Sequence, residues 1–151
     1  MQLDNRGVAS TLNYILGLGI ATILVIGLLT AGGNLVSDQR EQVVRGELSV
    51  IGQQLVSDIT AADRLTADTG TVRIEREMPL TVAGEHYRAR ISTGADPTDN
   101  LYFLNLTSST TDVTEVVSFT SSTTVSGSVD GGSIVIEKKN GGTQEIMVKN
   151  G

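Results

Sequence analysis

Between Arg6 and Asp38 the chain carries no Asp, Glu, Lys or Arg. A bilayer-spanning helix needs about 20 mostly apolar residues, and Val8 to Val36 exceeds that. Its interior, Leu12 to Leu29, is Leu, Ile, Val, Gly and Ala apart from Asn13, Tyr14 and Thr22. Tyr14 sits near one end, where amphipathic rings prefer the headgroup level. The apolar region of a secretory signal is shorter, about 7–15 residues, so this segment is expected to stay attached as a membrane span over residues 8–37. Arg6 precedes the span and a mixed flank, Ser37 to Gln42, follows it. That asymmetry predicts a single pass with the N-terminus cytoplasmic and the bulk of the chain outside. Gly17 with Ala21, and Gly27 with Ala31, have the small-x-x-x-small spacing of a helix-packing face, although glycine is common in membrane helices generally.

The helical pattern does not stop with the apolar run. Val44, Leu48, Ile51, Leu55, Ile59, Ala62 and Leu65 recur every three or four residues and mark one face of an amphipathic helix over residues 38–69. Glu41 and Arg45 form an i,i+4 pair of the favourable orientation, and Gly70 is the expected terminator. Gly32–Gly33, Gly46 and Gly52 are places where such a helix can bend or be approached closely. The stripe must be buried, against the chain's own sheet, against neighbouring subunits, or both.

From Thr71 the period changes to two. Val72 and Ile74 alternate with Arg73 and Glu75; Tyr87, Ala89 and Ile91 alternate with Arg88 and Arg90, after a turn at Gly84. Leu101 to Leu106 is a short apolar run suited to a central strand. Strands also read at Glu115 to Thr120 and Thr123 to Val129, and two more flank Asn140-Gly141-Gly142, a hairpin signal. Six to eight strands over residues 70–151 are expected. The fold class is therefore α+β, a long N-terminal helix packed on a C-terminal antiparallel β-sheet domain. That domain has four aromatic residues and no cysteine. Its own core is marginal, so the helical stripe must complete it.

Chemistry finds little purchase. His86 is the one histidine and there is no cysteine, which argues against a zinc site. Asp96, Asp99 and Asn100 lack the regular spacing of a calcium loop and read as a turn. No serine lies in a nucleophile elbow, no glycine-rich phosphate loop is present, and no cofactor is expected. The chain is read as non-enzymatic. With a net charge of −6 and no basic patch, nucleic acid is not an expected partner. The acidic, lysine-poor balance suits either high salt or an ordinary acidic surface. Asn105-Leu106-Thr107 is an N-glycosylation sequon set in an apolar strand.

An Arg-Gly pair near the start, an apolar helix running into an amphipathic one, and then a β-rich domain together resemble the type IV pilin superfamily. The segment Arg6 to Val25 is similar in particular to the N-termini of haloarchaeal pilin-like proteins. The resemblance implies that a prepilin peptidase cuts between Gly7 and Val8, with Arg6 as the basic residue before the cut and residues 1–7 as the leader. It implies membrane lipid and then other pilin-like subunits as partners, in a pilus or pseudopilus. Two departures stand out: Leu12 occupies the place of a glutamate in bacterial pilins, and Ala9-Ser10 replaces a frequent haloarchaeal Ser-Pro. The alternative is an uncleaved single-pass anchor whose β-domain binds a ligand or partner at the cell surface.

Overall fold

The computed structural model describes residues 5–65, 70–140 and 144–151, and within them the side chains of residues 5–8, 34, 97 and 140 lie outside the description. The chain is α+β: one long helix followed by an eight-stranded, mostly antiparallel sheet. Helix α1 spans Asn5–Arg64. The strands are β1 (Gly70–Glu77), β2 (Thr81–Val82), β3 (Glu85–Thr93), β4 (Leu101–Ser108), β5 (Thr114–Thr120), β6 (Thr124–Asp130), β7 (Ser133–Asn140) and β8 (Glu145–Asn150). Two compact units divide the chain, Met1–Gln39 and Arg40–Gly151.

In the second unit the stripe on α1 is buried. Val44, Leu48, Leu55, Ile59 and Ala62 are completely covered and Ile51 nearly so. They share one core with Ala89, Leu104, Leu106, Val125, Val129, Ile134, Ile136, Ile146 and Val148 from one face of the sheet. Burying each large aliphatic side chain contributes about 1.5–3 kcal/mol, so the helix supplies a large part of the domain's stability. Gly52 lets it come close. A Cβ there would lie 2.8 Å from Val117 Cγ2 and 2.9 Å from Leu106 Cδ1.

The stripe ends earlier than its sequence pattern. Leu65 is exposed and lies just past the helix end, and Gly70 opens β1 instead of terminating α1. The helix is closed from across the fold, because the Lys138 ammonium donates to the carbonyls of Asp63 at 2.5 Å and Leu65 at 3.3 Å. A cation on the last turn satisfies carbonyls that the helix itself leaves open. The expected Glu41–Arg45 pair is replaced too: Arg45 turns to the domain, 3.8 Å from Glu115 and 3.5 Å from the Thr114 carbonyl.

The sheet order is β1-β7-β8-β6-β3-β4-β5, with β2 paired on β3. The β2–β3 turn is Ala83-Gly84, both with positive φ (46° and 82°), the geometry of a two-residue hairpin that matches strand twist. Leu101 to Ser108 is an interior strand, as its apolar run suggests, but its residues alternate between buried and half-buried. One pairing departs from the antiparallel expectation, for β6 runs parallel to β8. The chain leaves β6 through Gly131-Gly132, lays down β7 two strand positions away, and returns as β8 into the gap. At that seam Gly127 (φ 143°) faces Val148, whose carbonyl a Cβ would overlap. The Asn140-Gly141-Gly142 turn joins strands that do pair as a hairpin, β7 with β8, but residues 141–143 lie outside the described residues.

Candidate functional site

The feature of greatest functional consequence is the exposed apolar length of α1. Every large apolar side chain from Leu12 to Val36 on the exposed surface keeps between 54% and 73% of its area. The run is uncharged, and three hydroxyls along it are turned inward on their own backbone. Thr22 donates to the Leu18 carbonyl at 2.8 Å, Thr30 to Ile26 at 2.9 Å and Ser37 to Gly33 at 3.3 Å. Such i−4 bonds remove the cost of placing a hydroxyl in hydrocarbon. The helix is long and apolar enough to cross a membrane.

The predicted packing residues lie on this length. Gly17, Ala21, Gly27 and Ala31 are exposed, and a Cβ on Gly17 or Gly27 would meet nothing within 4 Å. Gly17 and Ala21 do line one shallow groove along the helix with Ser10, Asn13, Tyr14 and Leu18. Arg6, Gly7 and Val8 are on the helical backbone; their side chains, and all of residues 1–4, lie outside the described residues.

Within the second unit a row of polar contacts fixes the helix to the sheet. Glu85, buried at the start of β3, meets Arg40 Nη2 at 3.2 Å and accepts from Thr111 N and Oγ1 at 3.1 and 3.0 Å. Glu47 accepts from Ala83 N at 2.8 Å in the β2–β3 turn. Asp58 takes Arg76 in a two-pronged bond of 2.8 and 2.9 Å, with Gln54 alongside. Asp63 accepts from Ser122 N at 2.9 Å and Ser122 Oγ at 3.0 Å. Burial pushes the Asp63 carboxyl up, but both groups of Ser122 and the charge of Lys138 act against it, and the group is held below the usual carboxylate range.

Where the same helix meets β2, an apolar groove opens that the sequence reading missed. Gly46, Val50, Ile51, Pro79, Thr81 and Val82 border a hollow of about 430 Å³. Val43 and Val50 expose 52% and 68% of their surface, and Leu80 66%. The signal in the sequence is Val50, an apolar residue that lies off the core stripe.

The remaining sequence candidates are dispersed. His86 is exposed at the start of β3, opposite Thr81. Asp96 accepts from Thr98 N and Oγ1 at 2.9 and 2.6 Å, which holds its carboxyl low and builds the turn at Pro97–Asp99, with Asn100 in the left-handed region. Among the described residues no group of three or more His, Cys, Asp or Glu side chains could hold a metal. Asn105 is on interior strand β4, half-buried on the sheet face opposite the helix, and its Nδ2 donates to Ser92 Oγ at 3.0 Å.

A single long helix, apolar and exposed in its first part and closing a sheet with its last part, defines a class of α+β proteins with one candidate membrane span. The chain belongs to DUF7266, a family of unknown function, whose sequence model matches residues 3–149. No curated protein and no solved structure matches the chain.

Proposed function

We propose that this protein is a non-enzymatic, pilin-like structural subunit, held in the cell membrane by α1 with its β-domain outside. After removal of residues 1–7 by a prepilin peptidase, α1 would pack with other such helices in a filament or short pseudopilus. One observation carries the reading: the uncharged part of α1 exposes apolar surface on every side and closes the Thr22 and Thr30 hydroxyls on its own backbone. A helix apolar all round requires lipid or other helices about it. The groove at Gly46 and Val50 supports the same reading, since it offers a neighbouring helix an apolar seat at the edge where α1 meets β2. The Arg6-Gly7 pair, before a residue at which the mature helix would begin, supports processing.

The intact mass and N-terminal residue of protein purified from its own cells test this. A mature chain beginning at Val8, recovered in a sheared extracellular fraction as well as in membranes, is the expected result. A membrane-retained chain beginning at Met1 or Gln2 would replace the subunit with an uncleaved surface anchor.

A further inference from the structure

We propose that the two outer edges of the sheet pair between copies of this chain, β5 of one copy lying antiparallel against β1 of the next. The strand order ends at β1 and at β5, and beyond either no further strand pairs among the described residues. A sheet edge presents a row of unused N–H and C=O groups, which folded proteins ordinarily blunt with charge, proline or a bulge. β5 is left unguarded: from Thr114 to Thr120 it has Glu115 as its one charge and no lysine or proline, and Val116 keeps 50% of its surface exposed. β1 carries charges of alternating sign at Arg73, Glu75, Arg76 and Glu77.

The backbone fixes which groups are on offer, because ladder bonds alternate in direction along a strand. Met78 N donates to Gly132 O and Ser108 N to Val113 O, both at 3.0 Å. In step with these, Val72, Ile74 and Arg76 bond inward to β7, and Glu115, Val117 and Phe119 bond inward to β4. The outward groups are those of Thr71, Arg73, Glu75 and Glu77, and of Thr114, Val116, Ser118 and Thr120. The inward set holds the helix side of the sheet, where Ile74 and Val117 pack on the core and Arg76 meets Asp58. Followed pairing by pairing across the sheet, β5 runs opposite to β1. A second copy set as the next piece of the same sheet therefore offers β1 antiparallel to β5, with helix side beside helix side.

The side chains select the partner and the register. Complete overlap sets Thr71 opposite Thr120 and Glu77 opposite Thr114. On the helix side Val72 then meets Phe119, Ile74 meets Val117 and Arg76 meets Glu115; on the open side Arg73 meets Ser118 and Glu75 meets Val116. Apolar residues stand beside apolar ones, a cation beside an anion, and no like charges are opposed. Sliding two residues either way puts Glu115 opposite Ile74 or Met78 instead. Ile74 and Val117 are half-buried at the two ends of the sheet, and each would supply the cover the other lacks. Pairing β5 with a second β5 offers Glu115 no cation, and pairing β1 with a second β1 leaves the unguarded edge open. The head-to-tail contact repeats without closing on a dimer. It joins β-domains and rests neither on cleavage nor on the packing of α1.

The chain has no cysteine, so disulfide trapping reads the pairing directly. Full-length Arg73→Cys/Ser118→Cys, oxidised in whole cells and run without reductant, should give a ladder of dimers and longer chains, since paired residues of this kind have Cα atoms about 5.5 Å apart. Either cysteine alone should give no dimer, and Arg73→Cys/Thr114→Cys, displaced by four residues along β5, should give about tenfold less ladder. Val116→Pro removes an outward N–H that the single chain does not use in its ladder. Added to the first pair, it should leave the melting temperature in uncharged detergent unchanged and cut the ladder about tenfold. Val116→Glu, set opposite Glu75 of the next copy, should weaken the ladder as well, and a further Glu75→Lys should restore it. No ladder from Arg73→Cys/Ser118→Cys, an equal ladder from the displaced pair, or a ladder indifferent to Val116→Pro overturns the proposal. A dimer from Ser118→Cys alone overturns it in favour of a two-fold pairing of β5 edges.

Discussion

Three residues show how much of this fold rests on single atoms. Gly52 is the point of closest approach between α1 and the sheet, so Gly52→Ala must displace Val117 or Leu106 within a packed core. It should cost about 1–3 kcal/mol, read as a fall of several degrees in the melting temperature of the full chain. Tyr87 is the opposite case: it is 3% exposed and its hydroxyl has no hydrogen-bond partner among the described residues, so Tyr87→Phe should leave stability unchanged or raise it. Asp63 sets a pH limit. Its folded-state pKa is depressed, so the stability it contributes is fully present above its unfolded value and is lost as pH falls through the folded one. Asp63→Asn should therefore flatten the loss of stability below about pH 4 in acid denaturation. None of these roles was legible locally. Lys138, which caps α1 and faces Asp63, lies 75 residues from it in the sequence, and a search for a helix terminator along the chain settles on Gly70 instead.

At the scale of elements, the helical stripe was legible and its end was not. Val44 through Ala62 follow the 3.6-residue period because all six face one sheet, and the period states that directly. Leu65 continues the spacing but has no sheet to meet. Ile51→Ala or Leu55→Ala should cost about 2–5 kcal/mol, a large share of a domain's stability. An unchanged melting curve would contradict the burial of the stripe. The β2–β3 hairpin could be read from Gly84, whereas the parallel β6–β8 pairing could not. Turn residues report which neighbours in sequence can pair, but an insertion between two strands leaves no such mark beyond the unusual backbone of Gly127. Arg45 shows the same limit for charges: Glu41 is four residues away in sequence, but Glu115 is where the domain needs the cation.

For the whole molecule, the apolar run and the change of period from helix to strand gave the α+β architecture. The groove at Gly46 and Val50 escaped notice because it combines a helix face with Pro79 and Thr81, which only the fold brings together. If α1 packs against copies of itself, bulk on its small residues should obstruct that packing wherever they face another helix. Gly17→Leu and Gly27→Leu should then reach the membrane normally but reduce the sheared filament fraction, and full assembly of both variants would remove these glycines from any interface. The insertion of β8 has a consequence for the timing of folding. Without β8 the sheet is two separate pieces, β1-β7 and β6-β3-β4-β5, and β8 follows every other strand in the chain. A chain emerging N-terminus first from a ribosome or a secretion channel cannot complete its sheet until Asn150 is free.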